Sequence, residues 1–307
     1  MSQESKRTDL VTGAFSYTGR YLAGRLLASG INVRTLTGHP ARPEAAKSQI
    51  DTRPYEFDDP AALAASFENV HTFYNTYWVR FDRGDQTHER AVDNTRRLFR
   101  AAEEAGVQRI VHVSIANPSP DSPLPYYRGK AALEQTLAAS GVSHAIVRPT
   151  VVFGDGGILV NNIAWLLRHL PLFAVIGAGN YRIQPVYVDD LAELMIGLGN
   201  QTENTTVEAV GPEVYTFLEL VTLIRSEVGS RAAIVHVPAH IGYVFGRVLG
   251  LLLGDVLLTR EEIAGLTANL LVSTATASCK TSFRAWLQGN RRQLGARYLS
   301  ELSLHYD

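Results

Sequence analysis

Short apolar runs alternate with amphipathic segments through the first half of the chain, and this alternation constrains the fold more than any other feature. The runs have the length of β-strands, and the segments between them follow helical periodicity. Strands joined by helices of this length form right-handed crossovers, so they build a parallel sheet covered on both faces. The predicted strands are 9–13, 32–37, 52–57, 71–76, 109–115 and 144–149, and the clearest helices are 88–106 and 127–141. We therefore expect a doubly wound α/β fold of the Rossmann type, which binds ligands at the carboxyl ends of its strands.

The regular alternation ends near Gly154. We expect residues 1–154 to form the core, with its sheet extended by strand-like sequence within 181–211. Residues 155–180 and 212–307 are expected to form a smaller, mostly helical portion that binds the substrate.

One segment of that portion, 240–258, carries glycine at every fourth position from Gly242 to Gly254. Such a stripe lines one helical face and lets another backbone approach closely, which predicts buried packing. Contact with a membrane surface or a partner is the alternative, because small-residue stripes also occur in membrane helices. Arg247 and Asp255 interrupt the apolar run before it reaches the roughly 20 residues that a membrane span needs.

Composition narrows the function classes. The net charge of −1 comes without a basic block, which argues against nucleic-acid binding. The single cysteine, Cys279, forms no internal disulfide and suits a reducing compartment. The N-terminal sequence has no apolar signal region, so we expect a cytoplasmic protein. Histidines and the cysteine are dispersed without metal-ligand spacing, so we expect no metal site.

The sequence "DLVTGAFSYTGRYLAG" places a glycine-rich turn between the first strand and the first helix. Backbone N–H groups and the helix dipole at such a junction favour a phosphate. Ser16 stands where the usual pattern has its middle glycine, and its hydroxyl is able to donate a hydrogen bond to the pyrophosphate. An ordinary tight turn is the alternative. The residues expected to contact a dinucleotide here are Gly13, Phe15, Ser16, Tyr17, Thr18 and Gly19.

Cofactor choice is read at the end of the second strand, where an acidic residue would bind the ribose of NAD. Thr37, His39 and Arg42 lie there without a carboxylate, and a guanidinium attracts a 2′-phosphate. This favours NADP, with NAD as the alternative. At the end of the third strand, Glu56 and Phe57 are expected to border the adenine, unless the acidic residues that follow only cap a helix.

Tyr126 and Lys130 lie four residues apart at the start of a predicted helix, so their side chains share one face. An ammonium beside a phenol favours the phenolate and lowers the pKa of the tyrosine, which suits acid–base chemistry. Ser114 ends the preceding strand and would hold the oxygen of a substrate carbonyl. The alternatives are a cofactor-binding pair without turnover and a surface pair. Tyr127, three residues from the lysine, is the rival in register.

The motifs "TGAFSYTG", "VHVSI", Tyr126-x-x-x-Lys130, "RPTVVFG" and "VYVDDLA" occur in the order typical of one superfamily. The chain resembles the short-chain dehydrogenases/reductases, in their extended and atypical branches, over about residues 8 to 210. Within that superfamily, "RGKAALEQ" and "ILVNNIAWLL" are similar to the NmrA-like group and to the accessory NADPH-binding subunit of respiratory complex I. Many members of those two groups lack the catalytic tyrosine, whereas this chain keeps one.

The resemblance implies that Lys130 also holds the nicotinamide ribose, and that Pro149, Thr150, Val151 and Val152 flank the nicotinamide. From the residues themselves, we expect the end of the fourth strand to face the reaction cavity and to contribute Asn75, Thr76 and Tyr77 to the cofactor site. The expected substrate pocket contains Trp78, Phe81, Asn161 and Trp165. Its aromatic side chains favour an apolar or ring-bearing substrate, with core packing as the alternative for each of them.

The sequence thus predicts an NADP-dependent oxidoreductase that transfers a hydride between nicotinamide and a carbonyl or alcohol of a small substrate. Tyr126 would act as acid and base, Lys130 would tune it, and Ser114 would hold the oxygen. An epimerase or dehydratase would use the same residues. A protein that binds NADP(H) as a sensor or scaffold without turnover is the alternative from another class.

Overall fold

The computed structural model describes residues 7–40 and 48–305. Its strands are β1 (Thr8–Thr12), β2 (Asn32–Thr37), β3 (Asp51–Pro54), β4 (Val70–Asn75), β5 (Arg109–Val113), β6 (Ser143–Pro149), β7 (Val151–Phe153), β8 (Leu172–Ile176), β9 (Arg182–Ile183), β10 (Pro185–Tyr187), β11 (Thr205–Ala209), β12 (Tyr215–Thr216) and β13 (Ala233–Val237). Its helices are α1 (Tyr17–Ala28), α2 (Pro60–Ala65), α3 (His88–Glu104), α4 (Pro125–Ala138), α5 (Ile158–His169), α6 (Val188–Gly199), α7 (Phe217–Glu227), α8 (Ala239–Leu253), α9 (Arg260–Thr267), α10 (Phe283–Asn290) and α11 (Glu301–His305).

A seven-stranded sheet runs in the order β11-β6-β5-β4-β1-β2-β3. Every neighbouring pair from β3 to β6 is parallel. The chain starts at the centre with β1, moves outward to β3, returns to β4 and continues to β6, which is the doubly wound order. Central strand β4 is buried along almost its whole length, as expected where helices cover both faces. The predicted fold class is confirmed.

The sheet is held by an apolar core between its strands and the helices α3 and α4. Leu10, Phe73 and Ile110 of the central strands are fully buried, and so are Leu98 of α3 and Leu133 of α4. Burying a side chain of this size stabilises the fold by roughly 1.5–3 kcal/mol. The apolar periodicity that predicted these two helices therefore marks the faces that pack on the sheet.

The described residues divide into two compact units. The first contains the chain up to Pro149 together with Leu191–Glu208, and the second contains Thr150–Asp190 and the chain from Ala209 onward. In the second unit, β7 pairs with β10, β8 with β13 and β9 with β12. Its core lies among α5, α7 and α10 and includes fully buried aromatic and aliphatic side chains of Phe153, Leu167, Val221, Phe283 and Leu287.

Two expectations about the sheet need correction. The segment 181–188 does not extend the seven-stranded sheet, because its strands β9 and β10 pair with β12 and β7. The hydroxyl of Thr150 donates to the carbonyl of Gln184 and fastens the start of β7 beside β10. From the range 181–211, β11 joins the large sheet. The core that we expected to continue to residue 154 gives way to the second unit at Thr150.

The expected burial of 240–258 is wrong for one face of its helix. α8 ends at Leu253, and Gly254 takes a left-handed conformation with φ 64°. Gly242 and Gly250 are buried, as the stripe predicts. Six large apolar side chains of α8 are nevertheless exposed: Ile241, Val244, Phe245, Val248, Leu251 and Leu252.

Substitution by alanine at Gly19 and at Gly24 of α1 should change the stability of the fold in opposite directions. A Cβ at Gly19 would lie 2.0 Å from the carbonyl oxygen of Gly13, so Gly19→Ala forces the turn and helix apart. We expect a loss of about 1–3 kcal/mol in the free energy of unfolding. A Cβ at the exposed Gly24 meets nothing within 4 Å, so Gly24→Ala should stabilise by about 0.5–1 kcal/mol. Urea denaturation measures both, and equal effects of the two substitutions would contradict the close approach.

Candidate active site

The glycine loop closes on itself between β1 and α1. Gly13 has φ 65°, and its carbonyl oxygen accepts hydrogen bonds from both the N–H and the hydroxyl of Ser16, at 2.8 and 2.7 Å. Ser16 is the N-cap residue of α1, and the first turn contains no acidic side chain. Orphan N–H groups and the positive end of the helix dipole at such a terminus suit an anion.

This geometry changes the role expected for Ser16. Its hydroxyl proton is donated to Gly13 and is not available to a pyrophosphate, so the side chain stiffens the turn instead. Phe15, Tyr17 and Thr18 are half-buried, and Gly19 is buried against the turn. The loop therefore keeps the close strand–helix approach of a dinucleotide site although its middle glycine is a serine.

Thr35 supports the loop from β2, and the sequence analysis missed it. Its fully buried hydroxyl accepts from the N–H of Ala14 at 3.0 Å and donates to the carbonyl of Val11 at 2.7 Å. The N–H of Gly13 also bonds the carbonyl of Leu36, at 2.9 Å. The sequence of β2, NVRTLT, mixes polar and apolar residues and did not mark Thr35 out.

The ends of β1 and β4 are joined through the hydroxyl of Thr12. It accepts from the N–H groups of Thr76 and Tyr77 at 2.8 and 3.1 Å, and it lies 3.1 Å from Oδ1 of Asn75. The hydroxyl of Thr76 donates to the carbonyl of Thr12 at 2.5 Å. These bonds fix the edge of the sheet where the strands end.

The prediction that Asn75 contacts the cofactor needs correction. Asn75 is fully buried, and its Oδ1 accepts from the N–H of Tyr77 while its Nδ2 bonds Nδ1 of His112, at 3.1 and 3.0 Å. Its amide is therefore engaged inside the strand ends. Burial, together with the charge of Lys130, holds the pKa of His112 well below its ordinary value, so this imidazole stays neutral.

Lys130 is the most perturbed group of the candidate site. The side chain is 2% exposed, and Nζ donates to the carbonyl of Val113 at 2.8 Å. Nζ also lies 4.2 Å from the centre of the Trp78 ring, a cation–π distance. Burial lowers the pKa of Lys130 to about 7, and the carboxylate of Glu134 opposes this shift. A buried amine near its own pKa is typical of functional sites.

Tyr126 lies on α4 one turn before Lys130 and packs in a group of aromatic rings. Its ring contacts Trp78 and His88 edge to face, with centroid distances of 5.4 and 5.6 Å. Gly129 makes room for this group, because a Cβ there would come within 3.0 Å of Trp78. His88, which the sequence analysis missed, is buried at the start of α3 with Nδ1 3.0 Å from Oδ1 of Asp82.

Ser114 follows β5 directly, next to the carbonyl that accepts from Lys130. It is 3% exposed, and its hydroxyl has no hydrogen-bond partner among the described residues. Buried hydroxyls are normally bonded, so an unsatisfied one beside a charged amine is typical of a ligand position. Ser114 and Lys130 are brought together at the end of β5, and Tyr126 occupies the same face of α4 as Lys130.

Ion pairs of Arg148 fix the helix that carries the Lys130 amine. Arg148 of β6 binds Glu134 of α4 through two parallel hydrogen bonds, 2.9 and 2.5 Å long, and reaches Glu208 at 3.2 Å. Two-point pairing of this kind sets an orientation as well as supplying energy. Glu134 lies one turn after Lys130, so the ion pair holds the helix that carries both candidate catalytic residues.

The expected adenine end is aromatic. Tyr55 and Phe57 stack with a centroid distance of 4.9 Å, and Tyr77 packs edge-on against Tyr55 at 5.2 Å. Glu56 is exposed beside them. Asp59 caps α2 by accepting from the N–H of Ala62, so the capping alternative describes this acid.

At the end of β2, the hydroxyl of Thr37 accepts from the N–H of His39 at 3.2 Å. Arg42, expected to attract a 2′-phosphate, lies outside the described residues.

The candidates for the substrate pocket lie in different environments. Phe81 is 6% exposed, so for this ring the alternative of core packing describes the structure better than a pocket wall. Asn161 stays a predicted pocket residue, and its Nδ2 donates to the carbonyl of Arg297 while its Oδ1 accepts from the N–H of Gly295. Trp165 packs against His169 and Tyr298. Trp78 contacts both Tyr126 and Lys130 of the candidate catalytic group.

The residues expected to flank the nicotinamide follow the end of β6. Pro149 is the last residue of β6, and Thr150 is buried with its hydroxyl bonded to Gln184. Val151 is buried in β7, and Val152 is half-buried. In residues 7–40 and 48–305, no group of three or more His, Cys, Asp or Glu side chains is arranged to hold a metal ion. None of the described helices has the length and hydropathy that crossing a bilayer requires.

Residues 13–159 match a family model described as NAD(P)H-binding. This segment is similar to NAD(P)-binding domains. The structure fits that cofactor class, because Gly19 has no room for a Cβ against the turn, Gly13 has φ 65°, and the start of α1 bears no competing acid.

The relatives extend over most of the chain. Subunit 9 of the alpha subcomplex of mitochondrial NADH dehydrogenase from Arabidopsis thaliana is 24% identical over 282 residues, covering 86% of this chain and 70% of the plant protein. The 40 kDa subunit of mitochondrial NADH-ubiquinone oxidoreductase from Neurospora crassa is 25% identical over 268 residues, covering 83% of this chain and 69% of its own length. The predicted likeness to a complex I subunit is confirmed.

Two solved structures share the fold over almost the whole chain. A nucleoside-diphosphate-sugar epimerase from Staphylococcus aureus has a TM-score of 0.71 at 15% identity, covering 92% of this chain and 99% of the epimerase. MoeE5 in complex with UDP-glucose and NAD has a TM-score of 0.68 at 21% identity, covering 93% of this chain and 97% of MoeE5. The chain thus shares the fold of these two structures.

The depressed pKa of Lys130 predicts a pH-dependent stability. The ordinary pKa of lysine, 10.5, falls to about 7 in the folded protein. Between those values the unfolded chain binds a proton that the folded protein releases, so rising pH stabilises the fold. Relative to Lys130→Met, the wild type should gain up to about 1.4 kcal/mol per pH unit in this window.

Denaturant unfolding from about pH 7 to pH 10 measures this difference. Lys280, whose side chain is exposed, supplies the control, and Lys280→Met should follow the wild-type profile. Parallel profiles for the wild type and Lys130→Met would show that the amine is not buried as described.

Proposed function

We propose that the protein is an NADP-dependent oxidoreductase that acts on a carbonyl or alcohol of a small, apolar or ring-bearing substrate. The observation that carries the proposal is the buried amine of Lys130 at the end of β5. It lies beside the unsatisfied hydroxyl of Ser114 and on the same helical face as Tyr126. A phenol one turn before the amine suits proton transfer, which a site for binding alone does not need.

Each residue has a separate role in the proposed reaction. The hydroxyl of Tyr126 donates a proton to the substrate oxygen during reduction and takes it back during oxidation. The Lys130 ammonium stabilises the phenolate that remains. The hydroxyl of Ser114 donates a hydrogen bond to the same substrate oxygen and orients the carbonyl. Trp78 and Tyr126 present ring edges and faces that favour an apolar substrate.

The cofactor would lie along the carboxyl edge of the sheet, and when bound it supplies or accepts the hydride. The turn at Gly13 and the start of α1 would hold its pyrophosphate, and the aromatic group at Tyr55, Phe57 and Tyr77 would border its adenine. Lys130 would hold the nicotinamide ribose, as in the superfamily that the chain resembles. NADP is favoured over NAD because Thr37 and His39 follow β2 where an acidic residue would select NAD.

Tyr126→Phe tests the acid–base role directly. Removing the phenolic proton should lower turnover by roughly 10² or more, and NADPH affinity should stay nearly unchanged because the ring remains. Nicotinamide fluorescence measures affinity, and a panel of carbonyl and alcohol substrates measures turnover. Tyr127→Phe, the neighbouring phenol on the same helix, is the matched control.

The outcomes separate the rival functions. Unchanged turnover in Tyr126→Phe would remove this tyrosine from the mechanism. Tight NADPH binding without substrate-dependent oxidation anywhere in the panel would favour a binding protein without turnover, a reading that the NADH dehydrogenase subunits among the relatives motivate. Interconversion of a sugar nucleotide without net change in cofactor would instead assign the same residues to an epimerase.

A further inference from the structure

The outer face of α8 is apolar and exposed to solvent. Leu251 and Leu252 are 77% and 79% exposed. Four further side chains on this helix are 41–58% exposed: Ile241, Val244, Phe245 and Val248. Isolated exposed apolar residues are common on protein surfaces, but a contiguous set on one element marks an interaction site. We call these six residues the α8 apolar face.

Helical geometry makes the face continuous. At 3.6 residues per turn, its six positions fall within an arc of about 120°. Gly242, Gly246 and Gly250 project from the other side of the helix. The face runs along a helix of 15 residues, which is about 22 Å long. That length is shorter than the hydrocarbon core of a bilayer, about 30 Å.

The glycines hold the helix in this orientation. A Cβ at Gly242 would lie 2.8 Å from the side chain of Ile176, and one at Gly250 would lie 2.6 Å from the carbonyl oxygen of Asp255. A side chain at either position would collide with these neighbours, so the helix cannot turn a bulky residue inward at Gly242 or Gly250. The exposure of the α8 apolar face therefore follows from the packing beneath it.

Cationic groups border one edge of the face. Arg247 projects about 40° outside the arc. The Arg260 guanidinium lies 4.8 Å from the ring centre of Tyr243, which projects about 80° outside the same edge of the arc. α8 contains no acidic residue. Helices that lie at a membrane surface combine a broad apolar face with Arg or Lys beside it.

The carboxylates near α8 do not neutralise the positive charge beside its apolar face. Asp255 is buried and accepts hydrogen bonds from the hydroxyl of Tyr298 and the N–H of Glu301, at 2.6 and 3.0 Å. Glu262 accepts from the N–H of Thr259 in the capping box of α9. Glu261 is exposed in the first turn of α9 and is the one free-standing acid of this pair of helices.

We propose that the α8 apolar face binds the surface of a membrane that contains anionic lipid, with the helix lying parallel to the bilayer plane. The apolar side chains would enter the boundary between headgroups and acyl chains, and Arg247 and Arg260 would contact lipid phosphates. A second copy of the chain is a poorer occupant. Pairing two α8 helices would bring their cations together without a carboxylate on either helix.

Vesicle sedimentation with the purified full chain tests the proposal. The probes are vesicles of phosphatidylcholine alone and vesicles of three parts phosphatidylcholine to one part phosphatidylglycerol. The wild type should bind the anionic vesicles, and high salt should weaken binding. Leu251→Glu combined with Leu252→Glu should lower binding by at least about tenfold. Arg247→Glu should lower it by about fivefold or more.

Leu159→Glu is the matched control, because Leu159 is 44% exposed on α5 and lies outside the face. It should bind as the wild type does, and circular dichroism should show that all variants keep the fold. Absence of wild-type binding to anionic vesicles, or undiminished binding of the double glutamate variant, would overturn the proposal. Sedimentation velocity supplies the remaining test: a concentration-dependent dimer that the double variant abolishes would assign the face to a second copy instead.

Discussion

The candidate site depends on one buried amine. Lys130 is buried, so water solvates its ammonium poorly. The carbonyl of Val113, the ring of Trp78 and the carboxylate of Glu134 one turn away stabilise that charge. Trp78 can approach α4 only because residue 129 is glycine. Arg148 then fixes Glu134 from the neighbouring strand. The residues around this one charge thus come from the end of β5, from the segment after β4, from β6 and from α4.

Limited space also decides which residues the glycine loop accepts. Gly19 must lack a side chain because the carbonyl of Gly13 occupies that volume, whereas position 16 tolerates a serine whose hydroxyl closes the turn. The physical requirement is therefore a short distance between strand and helix at one point. The remaining loop positions need only leave the N-terminus of α1 accessible to an anion. This explains why a departure from the usual glycine pattern coexists with a match to an NAD(P)H-binding family model.

Periodicity and motif order predicted the sheet and placed Ser114, Tyr126 and Lys130, because both signals are local in sequence. They failed where a side chain's role depends on what packs above it. Asn75 has the polarity expected of a ligand contact, but its amide bonds a histidine that is far away in sequence. Thr35 and His88 showed the reverse error, since nothing adjacent in sequence marks them as supports of the site. Strand pairing of 181–188 was equally non-local.

The glycine stripe of α8 shows how a correct local inference leads to a wrong global one. Glycine every fourth residue does report close packing, and the contacts with Ile176 and Asp255 bear this out. It carries no information about the opposite face. Burying a leucine of that face would be worth roughly 1.5–3 kcal/mol, but rotating the helix to achieve it would drive large side chains into the close contacts at Gly242 and Gly250. Close packing on one side is therefore the cause of apolar exposure on the other.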